Sequence, residues 1–347
     1  PSLGEAVALM PNVTTRAGAP DQLQVRSIDV FSVFRNSFRY STGTSLNYRK
    51  DLTNIDRIEI IKGLGSATTG RGEAGGVVNM ITKKPRAIRA TSVRGVIDDY
   101  GYYKTELDTT GPVTRNGKIL YRAIVAYTGG EIYSPNEEYD LINFYPSFEF
   151  RLGERTNLLI EGSLQSGQTP SATLFEIGDF RKQFKRAGSN NAIVSNLPNV
   201  GALQKIDTLD LRHPVTLPWI DPDAQVYDVT ATLNQKFTDW FSTRQAVLGY
   251  KGQVDREFVR LSGQLSGESG WIFPPNDAAR LNPTDFVYAL LFETNETDLD
   301  FISYQGDFLA EYKTGAIANQ TLVGYEYTTR SIFSRTRRVT DNRGYRV

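Results

Sequence analysis

Residues 142–165 read INFYPSFEFRLGERTNLLIEGSLQ, and their alternation decides the fold. Ile142, Phe144, Pro146, Phe148, Phe150 and Leu152 fall on one face of an extended chain. Asn143, Tyr145, Ser147, Glu149 and Arg151 fall on the other, which is the period of two that a β-strand imposes. Beyond Gly153 and Glu154 the pattern resumes, with Leu158, Ile160, Gly162 and Leu164 opposing Asn157, Glu161, Ser163 and Gln165. Two such runs joined by a short turn predict a hairpin.

Working outward, residues 225–237 and 240–252 repeat the arrangement around a turn at Thr238-Asp239, and residues 299–313 and 319–330 form a further pair. Fainter runs at 89–98, 102–110 and 118–128 bring the total to nine strands, most of them 10 to 13 residues long. Globular strands average about 5 to 6 residues, whereas a tilted strand crossing a bilayer needs about 9 to 11. The connections alternate between short turns (111–117, 153–155, 238–239, 314–318) and long loops (129–141, 166–224, 253–298), with only 99–101 short where a loop is due. Short turns on one side and long loops on the other are the build of an outer-membrane barrel. Aromatic residues near strand ends (Tyr100, Tyr102, Tyr103, Tyr127, Tyr227, Trp240, Phe241, Tyr250, Phe301, Tyr312, Tyr327) suit the girdles of such a barrel; cross-strand core packing is the plainer reading.

Composition narrows the chemistry. The 347 residues carry 39 Lys+Arg against 39 Asp+Glu, so bulk electrostatics offers nothing to a nucleic acid. There is no cysteine and a single histidine, His213, which reads as a loop residue; disulfides, thiolate metal sites and a histidine-rich metal site are excluded together. No catalytic residue and no metal-ligating set is expected. The first 87 residues differ from the rest, with twelve Lys+Arg against seven Asp+Glu. They hold short β-like pieces between glycine-rich turns and end at Lys83-Lys84-Pro85, which marks a small mixed α/β domain over 1–87 before the strands of 88–347. Ser2 and Glu5 have capping-box spacing, and a chain that opens inside a helix cap is expected to lack its natural N-terminus.

Residues 54–85 carry the densest motif. Gly70, Gly72 and Gly75 match the G-x-G-x-x-G pattern, but the run that follows, Val77-Val78-Asn79-Met80-Ile81, is β-type where a helix N-terminus is required, and the Lys-Ser/Thr of a P-loop is absent. The segment resembles instead the plug-domain signature of TonB-dependent outer-membrane receptors. Asp56-Arg57-Ile58-Glu59-Ile60-Ile61-Lys62-Gly63 matches its first half, and Gly70-Arg71-Gly72-Glu73-Ala74-Gly75-Gly76-Val77-Val78-Asn79 its second. Leu9-Met10-Pro11-Asn12-Val13 is similar to an earlier element of the same domain. Leu64 stands where the pattern has proline, and Thr69 where it has tyrosine.

The resemblance implies a mainly β protein: a plug over 1–87, then the first nine or so strands of a 22-stranded antiparallel transmembrane β-barrel with long extracellular loops. It implies TonB-dependent uptake of a ferric siderophore, of the ferrichrome type, at the outer membrane of a Gram-negative bacterium. Iron would travel as a chelate rather than as a cofactor. Partners would be the siderophore, TonB with its inner-membrane energising complex, and outer-membrane lipid and lipopolysaccharide. The basic, aromatic stretch Phe31, Phe34, Arg35, Phe38, Arg39, Tyr40 and Tyr48, with Thr68 and Thr69, suits an anionic, partly aromatic chelate; packing between plug and barrel is the plainer role. Arg26, Arg57, Glu59, Lys62 and Arg71 are the expected plug members of ion pairs to barrel carboxylates such as Glu149 or Glu161. Phe180, Arg181, Lys182, Phe184, Lys185 and Arg186 in the long loop offer a second basic-aromatic patch. The rival readings are uptake of cobalamin or an oligosaccharide by the same kind of receptor, a passive porin, and a soluble β-rich binding module.

Overall fold

The computed structural model describes residues 3–7, 10–16, 19–30, 32–42, 51–63, 76–131, 138–169, 223–262 and 287–346. Everything said below of absence or number refers to these.

The N-terminal unit opens with a single helical turn and a half, α1 (Leu3–Val7). A meander follows, β1 (Val13–Arg16), β2 (Ala19–Val25) and β3 (Ile28–Val30), in the order β1-β2-β3. A second sheet holds β4 (Ser32–Arg35), β5 (Phe38–Thr42), β6 (Ile55–Lys62) and β7 (Gly76–Thr82), in the order β5-β4-β7-β6. The two are stapled by one apolar cluster in which Leu3, Val7, Leu23, Val25, Val33 and Val78 are buried. Gly76 begins β7 at φ +141°, and a Cβ there would run into the carbonyl oxygen of Ile61 on β6, so the sequence needs glycine at this point.

Two hairpins in this unit turn on non-glycine residues. Arg26 and Ser27 (φ 54° and 64°) join β2 to β3, and Asn36 and Ser37 (φ 49° and 70°) join β4 to β5. Both are two-residue turns with positive φ at each central residue, the geometry that matches strand twist in a tight hairpin. Residues 32–42, within the stretch read from sequence either as a chelate contact or as packing between plug and barrel, are a hairpin with its tip at Asn36-Ser37 and its aromatic residues inside.

The remaining strands make one antiparallel meander: β8 (Ala90–Ile97), β9 (Tyr103–Pro112), β10 (Ile119–Glu131), β11 (Glu138–Arg151), β12 (Thr156–Gln168), β13 (Asp223–Lys236), β14 (Phe241–Ser262), β15 (Val287–Thr314) and β16 (Ile317–Arg346). Each pairs with its sequence neighbours, so β8 and β16 stand at the two ends of the order. The count of nine agrees with the alternation, but the lengths do not stay at 10 to 13. β14, β15 and β16 run for 22, 28 and 30 residues, into stretches read as loop, because a ladder continues on backbone hydrogen bonds after oily alternation stops.

Burial in this sheet is inverted relative to a soluble protein. The oily residues face out: Val229 is 57% exposed and Ile302 56%, and Ile142, Phe144, Phe148 and Tyr227 are exposed with them. Their polar neighbours face in: Asn143, Ser147, Asp228, Thr230 and Ser303 are all buried. No helix is long and apolar enough to cross a membrane. An oily outer face over a polar, occupied interior is what a membrane-spanning strand presents. On β15 the outward face runs from Tyr312 through Phe308 and Tyr304 to Ile302, then turns to Asp300, Asp298 and Glu296, which sets the oily belt at about the 9 to 11 residues a tilted strand needs. At the turn end, Phe237, Trp240, Phe241 and Phe308 form contiguous ring contacts. Two aromatic residues assigned to the girdles lie elsewhere, since Tyr250 and Phe301 point inward and are buried.

Candidate functional site

The inner face of the sheet meets the N-terminal unit along most of its order, from β9 to β15. The most buried contact lies on a row set by register: Asp228 on β13 opposite Tyr250 on β14, opposite Phe301 on β15. β5 packs onto this row. Phe38 and Tyr40 join Val226, Leu248, Tyr250 and Phe301 in one apolar cluster, with the Tyr40 ring edge-on to Tyr250 at 5.3 Å. Arg35 pairs with the Asp228 carboxylate and lies 4.1 Å over the Tyr40 ring, while the Tyr40 hydroxyl donates to the second carboxylate oxygen at 2.9 Å. Both carboxylate oxygens thus have a donor where the Asp228 side chain is 1% exposed. Burial would push the guanidinium toward losing its proton, but Asp228 outweighs that and holds Arg35 charged, raised above its ordinary range.

A second anchor sits on β9 and β11. Lys104 donates to Asp51 at 2.6 Å and to Thr53 Oγ1 at 2.6 Å, and pairs with Glu106 at 3.2 Å. The Tyr145 hydroxyl donates to the same Asp51 at 3.1 Å. Burial works against the Asp51 charge, yet Lys104 and the hydroxyl and amide of Thr53 together hold its carboxyl below the usual range.

The third anchor gathers the exit of β7. Glu161 on β12 accepts from Lys84 at 2.8 Å, from Thr82 Oγ1 at 2.5 Å and from Asn36 Nδ2 at 3.2 Å. Lys83 reaches Asp108 on β9 at 3.4 Å, and Arg122 on β10 clamps Asp108 through two nitrogens while donating to the Lys84 carbonyl at 3.1 Å. The hairpin tip touches the wall more lightly: Arg244 on β14 donates to the Asn36 carbonyl at 3.4 Å and Gln305 on β15 to the Ser37 carbonyl at 3.0 Å. Asn79 holds the tip from behind by accepting from the Ser37 amide at 3.1 Å.

These positions redraw the expected site. Arg35, Phe34, Phe38 and Tyr40 are buried between the two units rather than displayed, because one oily strand facing a sheet is worth more packed than wet. Arg39, flanked by Phe38 and Tyr40, is half-buried. Of the expected ion-pair residues, Arg57 pairs with Glu59 at 2.8 Å and Asp56 at 3.4 Å within the N-terminal unit, since Arg57 and Glu59 are two apart on one face of β6. Lys62 donates to the Pro11 carbonyl at 2.7 Å, and Arg26 is an exposed turn residue without an ion pair to described residues. Glu149 likewise pairs locally, with Arg151 at 3.0 Å. Gly63, at φ +94°, ends β6. Phe31, Tyr48, Thr68, Thr69, Gly70, Arg71, Gly72, Gly75, His213 and residues 180–186 lie outside the described residues. Glu161 takes the role of barrel carboxylate expected for it, with Lys84 as its plug cation, whereas Asp51, Lys84, Lys104 and Asp228 escaped the sequence reading. One signal was present: an aspartate between Tyr227 and Val229 in an oily strand has to be paired if it faces inward.

Residues 1–77 match the family model described as TonB-dependent Receptor Plug Domain. Across 285 residues the chain is 31% identical to the ferripyoverdine receptor of Pseudomonas aeruginosa, an alignment covering 77% of this chain and 34% of the relative. The chain belongs to the TonB-dependent receptors. It is also 26% identical over 284 residues to the metal-pseudopaline receptor CntO of P. aeruginosa, covering 80% of this chain and 34% of that protein. The chain thus spans about a third of the length of these relatives. The open form of the ferric-catecholate import receptor Fiu from E. coli K12 superposes with a TM-score of 0.77 at 17% identity, over 95% of this chain and 47% of that one, which supports the fold. In the receptor's terms, the N-terminal unit is the plug, β8 to β16 are barrel wall, and the three anchors are plug-to-wall contacts.

Proposed function

We propose that this chain is the plug and adjoining wall of an outer-membrane receptor that takes up ferric siderophores by TonB-dependent active transport. The observation that carries the reading is the plug held by buried ion pairs against the polar inside of an oily-faced sheet. A passive porin has no use for a stopper anchored by Arg35–Asp228 and Lys104–Asp51. A soluble module would bury the faces that this sheet exposes. The relatives, a ferripyoverdine receptor and a metal-pseudopaline receptor, support a metal chelate as the cargo class.

In this reading the chelate is captured on the extracellular side of the plug, with Arg39, Phe31, Tyr48, Thr68 and Thr69 as proposed contacts. Arg35, Phe38 and Tyr40 act one layer below, holding the plug to the wall. TonB, energised from the inner membrane, supplies the pull that breaks the anchors. Outer-membrane lipid and lipopolysaccharide surround the oily belt. In this reading iron travels as cargo within the chelate.

Tryptophan quenching of the refolded full-length receptor, titrated with ferric hydroxamates, catecholates and carboxylates beside cobalamin and maltodextrins, tests the cargo. Saturable binding to one ferric chelate class is expected. Binding only to cobalamin or a sugar would overturn the siderophore assignment and leave the receptor architecture standing.

A further inference from the structure

The outer face of the sheet is not evenly oily. On β11 to β13 its outward positions include Phe144, Phe148, Leu158, Ile160, Val229 and Leu233, but on β14 they read Thr243, Gln245, Val247, Gly249 and Lys251. Gly249 lies between Val229 of β13 and Ile302 of β15, and nothing comes within 4 Å of where its Cβ would stand. A groove of about 610 Å³ opens over it, walled by Tyr227, Val229, Ile302 and Thr329. No described plug residue lines it, so it lies on the lipid side.

Gln245 keeps this groove open. The Tyr304 hydroxyl donates to Gln245 Oε1 at 2.5 Å, and the Tyr325 hydroxyl stands 2.9 Å from the same oxygen. Tyr304 pairs with Val247, two residues further from the turn than Gln245, so the bond draws its ring toward the turn and away from Gly249. An amide in an oily belt is costly unless it is paired, and here the pairing shapes the face. At the other end the groove closes on Lys251 and Asp300, register partners where the belt stops. Lys251 is exposed and makes no ion pair with described residues.

We infer that this groove holds an acyl chain of a phosphorylated sugar lipid, the lipid A part of lipopolysaccharide, with a phosphate on Lys251. The inference rests on the outer-membrane placement proposed above and adds a bound partner to it. The groove runs from an oily floor to a cation, which is the order of chain and phosphate in a lipid. Lys251 gives charge to the phosphate, while Asp300 and Ser331 accept from headgroup hydroxyls. The leaflet decides the source, because Lys251 is on the long-loop, extracellular side of the belt, where lipopolysaccharide forms the outer leaflet.

The test takes full-length receptor purified from outer membranes in mild detergent, strips it of lipid, and titrates it with diphosphoryl lipid A, dephosphorylated lipid A and phosphatidylethanolamine under native mass spectrometry. Gly249→Phe fills the groove while keeping the face oily, Lys251→Gln removes the cation, and Val125→Phe enlarges an outward residue on β10 as a control. Wild type and Val125→Phe are expected to retain diphosphoryl lipid A alike, and Gly249→Phe to retain it about tenfold more weakly. Lys251→Gln is expected to lose the preference for the phosphorylated form. Unchanged retention by Gly249→Phe would overturn the site, as would equal retention of phosphatidylethanolamine by the wild type. Equal loss in Val125→Phe would overturn it too, since that marks general shedding of lipid. Where Gly249→Phe does not reach the membrane, Lys251→Gln decides, and an undiminished phosphate preference there would overturn the inference. Chelate binding by the same preparations separates the two readings: its failure sinks the siderophore assignment and leaves the groove standing, whereas loss of lipid A retention by the wild type with chelate binding intact sinks the groove alone.

Discussion

At the scale of single residues, two arginine–carboxylate pairs of the same chemistry differ in what surrounds them. Arg35 and Asp228 are 9% and 1% exposed, whereas Arg57 and Glu59 are 58% and 42% exposed. Removing one partner of a buried pair strands the other charge, so Asp228→Ala is expected to cost about 3–5 kcal/mol in equilibrium unfolding of the full-length receptor. Glu59→Ala is expected to cost less than about 1 kcal/mol in the same experiment, because water already screens that pair. Equal losses would show that Asp228 is not the buried anchor described. Asp51 contributes a pH dependence of its own. Its carboxyl lies below the ordinary value in the folded receptor, so the unfolded chain takes up the proton first. The stabilisation it supplies is therefore complete above the unfolded pKa of about 3.9 and drains away as pH falls through the lower folded value. Hydrogen exchange at residues 51–55 should rise along that acid limb, and Asp51→Asn should remove the step. An acid limb unchanged in the variant would assign the loss to other carboxylates.

At the scale of elements, the inverted sheet makes a prediction that exposure alone gets backwards. Val229 is exposed and on a soluble surface would accept arginine with little penalty. Facing lipid, Val229→Arg is expected to cost about 2–4 kcal/mol in refolding into vesicles, while Asp300→Arg, beyond the oily belt on β15, should cost about 1 kcal/mol or less. Comparable small costs at both positions would place the bilayer elsewhere. The same belt explains what could be read without a structure. Strands β9 to β13 were legible because lipid demands an oily residue at every second position, and a run such as Tyr227, Val229, Ala231, Leu233 leaves no alternative period. The far halves of β14, β15 and β16 were not, because above the bilayer nothing enforces alternation; Glu296 pairs there with Arg335 at 3.6 Å on an outward face. The hairpin at 32–42 stayed open between two readings for a related reason: aromatic and basic residues fit a ligand surface and a buried seam equally well, and only the partner strand shows which face is packed. Asp228 lies 193 positions from Arg35, a separation at which sequence spacing carries no contact information.

At the scale of the whole molecule, the plug and the wall make sense only together. The plug's own cores are small, and Phe38 and Tyr40 leave them to pack on β13 to β15. The wall in turn buries Asp228 and Lys104, and half-buries Glu161, at costs that the plug's Arg35, Asp51 and Lys84 offset. The proposed active uptake requires a stopper joined to its wall in this way. The most direct test is uptake of radiolabelled iron, presented as the chelate selected by the binding titration, in Gram-negative cells carrying the full-length receptor, with and without TonB. The expected result is accumulation that needs both the receptor and TonB, while surface binding persists when TonB is absent. Accumulation at the same rate without TonB would contradict the account, since it would make the chain part of a passive pore.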